Sequence, residues 1–142
     1  MQTYDPRLFS MNVQNHLMVG YAPGTFIKAS RNEDAFTLKM GADGSSVRVK
    51  NANKSGRFEI TLMSSSPSND FLSALAIEDE KAGTAVGPST VKDGTGAAFA
   101  FGLNTWVVKQ PDLERGKESG DVTWIIETDL LQLVQGGTFD VP

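Results

Sequence analysis

The chain has 142 residues, with 13 Lys and Arg against 17 Asp and Glu, a formal net charge of −4 and no cysteine. That length suits one domain, residues 1–142, with a single core, and the lack of cysteine excludes a disulfide framework and any thiolate metal site. The acidic balance argues against a surface built to grip nucleic acid. The start, MQTYDPRLFS, has neither the basic nor the apolar region of a signal peptide. No apolar run approaches the ~20 residues that span a bilayer. Synthesis in the cytoplasm, with no membrane partner, is therefore the expectation.

Taken in chain order, residues 8–13 and 16–19 predict two short strands around Gln14-Asn15, and Pro23-Gly24 then breaks the chain. Residues 25–31 predict a third strand. Residues 32–46, NEDAFTLKMGADGSS, read as a long excursion with at most a short strand in the middle. Connections of that length are uncommon inside compact domains and are often functional. Residues 47–62, VRVKNANKSGRFEITL, predict a β-hairpin. Val47 and Val49 alternate with Arg48 and Lys50, while Phe58, Ile60 and Leu62 alternate with Arg57, Glu59 and Thr61. The turn is placed at residues 51–56, whose residue types tolerate reversal.

One helix is predicted from SPSNDFLSALAIEDEKAG. Ser66 is placed as its N-cap, Pro67 at its first position and Gly83 as its left-handed stop. Phe71, Leu72, Leu75 and Ala76 form its apolar stripe, and Glu78, Asp79 and Glu80 a solvated face. Asp93-Gly94 then signals a hairpin turn. Residues 97–101 and 103–110 are two short apolar-rich runs, and 111–121 a polar loop. Residues 122–128 predict a strand paired with 105–110, which would bring Trp106 near Trp124 and Lys109 near Glu127. Residues 130–134 continue apolar before a short tail. Many short strands and one helix predict a mostly-β fold, a sandwich or barrel with one flanking helix.

No catalytic constellation emerges. His16 is the only histidine and falls at a predicted turn. There is no G-x-S-x-G elbow. Gly116-Lys117 lacks the upstream glycine of a P-loop. Asp43-Gly44 and Asp93-Gly94 lack the alternating acidic ligands of a calcium loop. The aromatic residues do not interleave with basic ones as a single-strand binding platform would require. Neither a catalytic residue nor a metal or other cofactor is predicted.

The segments RNEDAFT, GADG, SPSND followed by LSAL, VKDG and GKE, in that order, resemble a family of tailed-bacteriophage structural proteins. The resemblance runs from about Tyr4 to Gly137. More distantly, an excursion ending in GADGSSVRV before an apolar strand is similar to contractile-tail tube proteins. The resemblance implies a β-sandwich or barrel flanked by a helix, and hexameric rings stacked into a hollow tube that conducts DNA without binding it. It implies no enzyme activity. It implies self-association, with tail sheath, baseplate and tail terminator proteins as further partners, in the tail of a virion made in a bacterial host. A bacteriocin or secretion tube, and a monomeric β-sandwich binding module, are the competing readings.

Two sets of site residues follow. Asn32, Glu33, Asp34, Phe36, Leu38, Met40, Asp43 and Gly44 in the excursion are candidates for contact between rings, because a loop with stranded apolar groups seeks a partner surface. The competing expectation is that Phe36, Leu38 and Met40 fold back onto their own subunit as an extra strand. Arg48, Lys50, Arg57 and Glu59, on the polar face of the predicted hairpin, are candidates for the lumen or the subunit seam. Three bases against one acid is an awkward balance for a surface past which DNA must slide.

Overall fold

The computed structural model describes residues 9–93, 98–113 and 120–135. Its strands are β1 (Phe9–Val13), β2 (His16–Leu17), β3 (Ile27–Arg31), β4 (Phe36–Met40), β5 (Ser46–Lys50) and β6 (Gly56–Met63). The helix α1 (Ser68–Ala82) follows, then β7 (Gly87–Asp93), β8 (Ala98–Lys109), β9 (Asp121–Thr128) and β10 (Gln132–Gln135). Seven strands lie in the order β2-β1-β7-β8-β9-β6-β3, and β10 joins the flank of β8. β4 and β5 form a separate two-stranded ribbon. The fold is mostly β with one flanking helix, as expected.

The alternation in β6 and β9 builds the core. Phe58, Ile60 and Leu62 point inward from β6, and Trp124 and Ile126 from β9. Met11 and Val13 of β1, which lies far from β6 in strand order, share the same cluster. The sheet must therefore curve around its own inner face. Leu72 and Ala76 of α1 close the cluster, with Phe71 and Leu75 half-buried at its margin. The helical stripe thus faces inward, but Leu72 rather than Leu75 is its fully buried member.

Several expectations are corrected. The helix is capped at Pro67 without a side-chain hydrogen bond. Ser66 instead turns its hydroxyl to the Val19 carbonyl and accepts from the Ser68 amide at 3.2 Å. Gly83 ends the helix at φ 65°, the left-handed stop expected of it. The two runs either side of Gly102 form one strand, β8. Trp106 lies opposite Glu127, while Trp124 lies opposite Ile60 and donates its indole N–H to Asn69 Oδ1 at 2.9 Å. The two tryptophans are not cross-strand neighbours, because they belong to different registers on opposite faces. Lys109 lies opposite Ile125, not Glu127, because a register shift between Val107 and Lys109 displaces it. β7 and β8 pair antiparallel as the Asp93-Gly94 signal requires. The turn itself, the Gly116-Lys117 segment and the C-terminal tail lie outside the described residues.

The largest correction concerns residues 47–62. β5 does not pair with β6. It pairs with β4, in the register Phe36↔Lys50 to Met40↔Ser46, while β6 pairs with β3 and β9. The chain reverses at residues 41–45. There the Gly41 amide donates to the Ser45 carbonyl at 2.6 Å, the Ser45 amide donates to Asp43 Oδ1 at 3.0 Å, and Gly44 takes φ 88°. Only a residue without Cβ adopts that φ without strain. The predicted excursion and the predicted hairpin are therefore the two sides of one long ribbon, residues 27–63. β3 and β6 are its stem, β4 and β5 its far end.

Candidate functional site: a projecting ribbon and an ion-paired sheet face

Between stem and far end the ribbon has a waist. Its ladder is interrupted over residues 32–35 and 51–55, with one residue more on the returning side. Two backbone bonds remain across it, from the Asn32 N–H to the Ser55 carbonyl at 3.0 Å and from the Asn51 N–H to the Ala35 carbonyl at 2.8 Å; side chains supply the rest, beginning with the Asn32 side-chain amide, which donates to the Ser55 hydroxyl at 3.1 Å. The Asn51 side chain donates to Glu33 Oε2 at 2.8 Å and to the Asp34 carbonyl at 3.1 Å. Asn51 and Asn53 each accept from the amide two residues on, at 2.9 and 3.0 Å. These turn-forming residues brace a bend; they do not reverse the chain.

The waist is anchored to the body. Arg31 donates to the Leu131 carbonyl through Nε at 3.2 Å and through a terminal nitrogen at 3.0 Å. The Leu131 amide donates to the Lys54 carbonyl at 2.9 Å. Leu131 is buried against Gly56, where a Cβ would stand 2.5 Å from Leu131 Cδ2 and 2.8 Å from the Ser30 carbonyl oxygen. The absence of a side chain at Gly56 is what lets the body grip the ribbon's base.

Beyond the waist every residue from 36 to 50 is exposed. Phe36 is 45 % accessible, Leu38 69 %, Met40 59 %, Val47 58 % and Val49 46 %. Phe36, Leu38 and Met40 share one face with Lys50 and Arg48, their cross-strand neighbours, and Val47 and Val49 lie on the other. The Arg48 guanidinium stacks 4.2 Å from the centre of the Phe36 ring. Apolar side chains thus occupy both faces of a ribbon whose strands pair only with each other among the described residues. Phe36, Leu38 and Met40 do form an extra strand, β4, but it pairs with β5 and leaves all three exposed. A free ribbon of this kind is marginal in water.

Arg48 and Lys50 therefore stand apart from Arg57 and Glu59. The latter two lie on the outward face of the sheet formed by β3, β6, β9 and β8. One row across that face is Ser30, Arg57, Glu127 and Trp106; the next is Lys28, Glu59, Ile125 and Lys109. Arg57 reaches Glu127 at 3.9 Å and Lys28 reaches Glu59 at 4.0 Å. Thr61 and Thr123 share a hydroxyl hydrogen bond at 3.1 Å. Of the three bases expected there, Arg48 and Lys50 are on the projecting ribbon and Arg57 meets a carboxylate from β9; the two rows instead hold Lys28, Arg57 and Lys109 with Glu59 and Glu127, and Lys109 lies opposite Ile125. The sequence gives Glu127 as a strand residue, but only the β6–β9 register assigns it to Arg57.

His16 sits just after a tight turn in which Gln14 and Asn15 take φ 48° and 69°. Its ring stacks on Phe71 at 4.1 Å. Among the described residues no three His, Cys, Asp or Glu side chains converge as metal ligands. No described helix is long and apolar enough to cross a membrane. Trp124 is buried and Trp106 half-buried opposite Glu127, so the two do not form an aromatic platform.

A curved antiparallel body that sends out an apolar ribbon defines a structural subunit made to join others. The sequence agrees: the chain belongs to the bacteriophage PhiTE tail tube protein family, whose family model matches residues 14–136. It is 28 % identical over 125 residues to the structural protein ORF10 of Pseudomonas phage KPP10, covering 87 % of this chain and 72 % of that one. Among solved structures it is similar to the tube-terminating cap of the anti-feeding prophage, with TM-score 0.62, 9 % identity and coverage of 96 % and 93 % of the two chains. It is also similar to chains of an extracellular contractile injection system. The sheath/tube terminator matches with TM-score 0.58 and 8 % identity, covering 94 % of this chain and 97 % of that one. The sheath-tube complex in the extended state matches with TM-score 0.56 and 9 % identity, covering 94 % and 92 %. The protein is a tail-tube-type structural protein.

Proposed function

We propose that this chain is the repeating subunit of a tail tube, closing into six-membered rings that stack around a lumen through which DNA passes. The observation that carries this reading is the projecting ribbon, residues 36–50, whose five apolar side chains are exposed in the subunit. Phe36, Leu38 and Met40, with the braced waist of Asn32, Glu33 and Asp34 and the turn of Asp43 and Gly44, make the contact between rings. Edge strands such as β3 provide the lateral seam, since an unpaired edge is a ready site for strand addition. The outward face of β3, β6, β9 and β8 lines the lumen. Two of its bases, Lys28 and Arg57, meet carboxylates, which lowers the positive charge a passing polyanion meets. Sheath, baseplate and terminator proteins are the further partners, on the tube's outside and ends.

A second reading has support of its own. The structural neighbours come from an anti-feeding prophage and an extracellular contractile injection system, so the same tube can equally belong to such a device. Electron microscopy of the purified protein at high concentration tests both readings. Rings or hollow tubes are expected. A protein that remains monomeric in sedimentation at every concentration, and is absent from purified particles, refutes them. DNA content of the native particle separates a phage tail from a device that carries other cargo.

A further inference from the structure

β9 ends at Thr128, level with Gly56 of β6 and Thr105 of β8. Past that level β8 runs on towards Ala98, and β10 takes the place of β9 beside it, from Gln132↔Phe101 to Gln135↔Ala98. The next strand over, β6, is continued past Gly56 by the waist. β10 therefore stands on the waist side of the body, beside the line the ribbon's returning strand would follow if the waist were straight. One backbone bond already joins the two, from the Leu131 N–H to the Lys54 carbonyl at 2.9 Å. In an antiparallel pair every second residue faces the same neighbour. Continued from Leu131 and Lys54, that register sets Leu133 opposite Ala52 and Gln135 opposite Lys50.

Both edges are open for it. Among the described residues β10 pairs with β8 alone and β5 with β4 alone. The bonds from Gly41 to Ser45 and from Asn51 to Ala35 turn the odd-numbered residues of β5 towards β4. The backbone groups of Ser46, Arg48 and Lys50 are left on the outer side, and an open edge is a site for strand addition. The faces agree as well. Leu133 and Gln135 line a groove of about 480 Å³ with Phe9, Phe26, Ile27 and Val91. Directly opposed residues share a face, so pairing Lys50 with Gln135 turns the Phe36, Leu38 and Met40 side of the ribbon towards the side of the sheet on which that groove opens. We propose that the free subunit exchanges between the projecting form and a closed form, in which the ribbon folds down on β10 as a strap, and that stacking takes the open form. This inference rests on the stacked-tube reading and adds a brake to it. Five exposed apolar side chains are an aggregation liability in a soluble subunit, and the strap covers part of them until a ring is there to receive them.

The chain contains no cysteine, so introduced thiols report without background. Lys50→Cys and Gln135→Cys, both at exposed positions, are combined in one chain. Opposed residues of an antiparallel pair stand about 5.5 Å apart at Cα, within the range a disulfide spans. Dilute protein is treated with glutathione disulfide. The expected result is an intramolecular disulfide that forms at a rate independent of protein concentration. It should form at least ~10-fold faster than in Val49→Cys with Gln135→Cys, whose ribbon thiol points away from its partner. The oxidised protein should keep the wild-type thermal transition or exceed it, stay monomeric in sedimentation, and build tubes once reduced. Disulfide-linked dimers in place of the intramolecular bond, equal rates for the two pairs, or tubes from the oxidised protein overturn the closed form and leave the tube reading standing. Failure of the wild-type protein to assemble at all overturns the tube reading, while the two oxidation rates still decide whether the strap closes.

Discussion

Replacing Phe36 and Leu38 together with Ser separates folding from assembly. In the free subunit Phe36 is already 45 % accessible and Leu38 69 %. Full burial of such side chains stabilises by about 1.5–3 kcal/mol each, so the buried remainder of the pair amounts to roughly 1–2.5 kcal/mol. Most of it lies within a ribbon whose strands pair only with each other, which opens without the body. The thermal transition of the body should therefore move by less than about 5 °C. In a tube the accessible remainder is covered as well. Losing it costs roughly 2–3 kcal/mol per contact, a factor on the order of 30–150 in each stacking equilibrium, and every added ring repeats the loss. Circular dichroism melts give the first quantity; sedimentation velocity and negative-stain microscopy give the second. A variant that melts more than ~10 °C lower would show that the ribbon belongs to the core. One that builds tubes of wild-type length would show that these side chains are not the axial contact.

Leu72→Ala should destabilise the subunit by about 3–5 kcal/mol, since Leu72 is fully buried and the cavity adds to the transfer loss. Leu75→Ala, at a half-buried position, should cost under about 2 kcal/mol, and chemical denaturation that reverses this order would refute the helix orientation. Glu59→Gln with Glu127→Gln releases Lys28 and Arg57 from their carboxylates. Assembled tubes of that variant should retain duplex DNA at low salt and release it as salt rises, whereas no retention would place this face away from the lumen. The Asp43 carboxyl is held below its ordinary value of 3.8, mainly by the Ser45 amide and then by the Ser45 hydroxyl. A depressed acid stabilises the turn above the unfolded pKa and loses that contribution as pH falls through the folded one. The Ser45 amide resonance should therefore titrate with a midpoint below 3.8; a midpoint at or above that value would contradict the hydrogen bond.

What the sequence discloses depends on whether a pattern has one physical solution or two. β6 and β9 alternate against a core that accepts only one register, so their strands and inward sets are legible. The helix is legible for the same reason, down to Gly83. Alternation in residues 46–50 is compatible with pairing on either side, and two segments rich in turn-forming residues flank it. GADG at 41–44 makes the reversal, with Asp43 accepting from the Ser45 amide and Gly44 at positive φ. NANKSG at 51–56 has the same residue types but uses them to brace the waist against Glu33, Asp34 and Leu131. Nor does alternation say whose core an apolar face seeks. Phe36, Leu38 and Met40 look like any half-buried strand until their exposure is known. The partner of Arg57 lies 70 positions away at Glu127, and only the register of β6 on β9 reveals it.

The waist also governs stiffness. A β-ribbon resists bending through its continuous ladder of backbone hydrogen bonds, and over residues 32–35 and 51–55 much of that ladder is replaced by exposed asparagine, serine and glutamate contacts. Such contacts exchange readily with water, so deformation concentrates there while the stem, clamped by Arg31 at Leu131, stays rigid. The ribbon behaves as a short lever on a compliant joint. In a long stack, each joint would yield by a small angle, and the sum would let the whole shaft flex without breaking any one apolar contact.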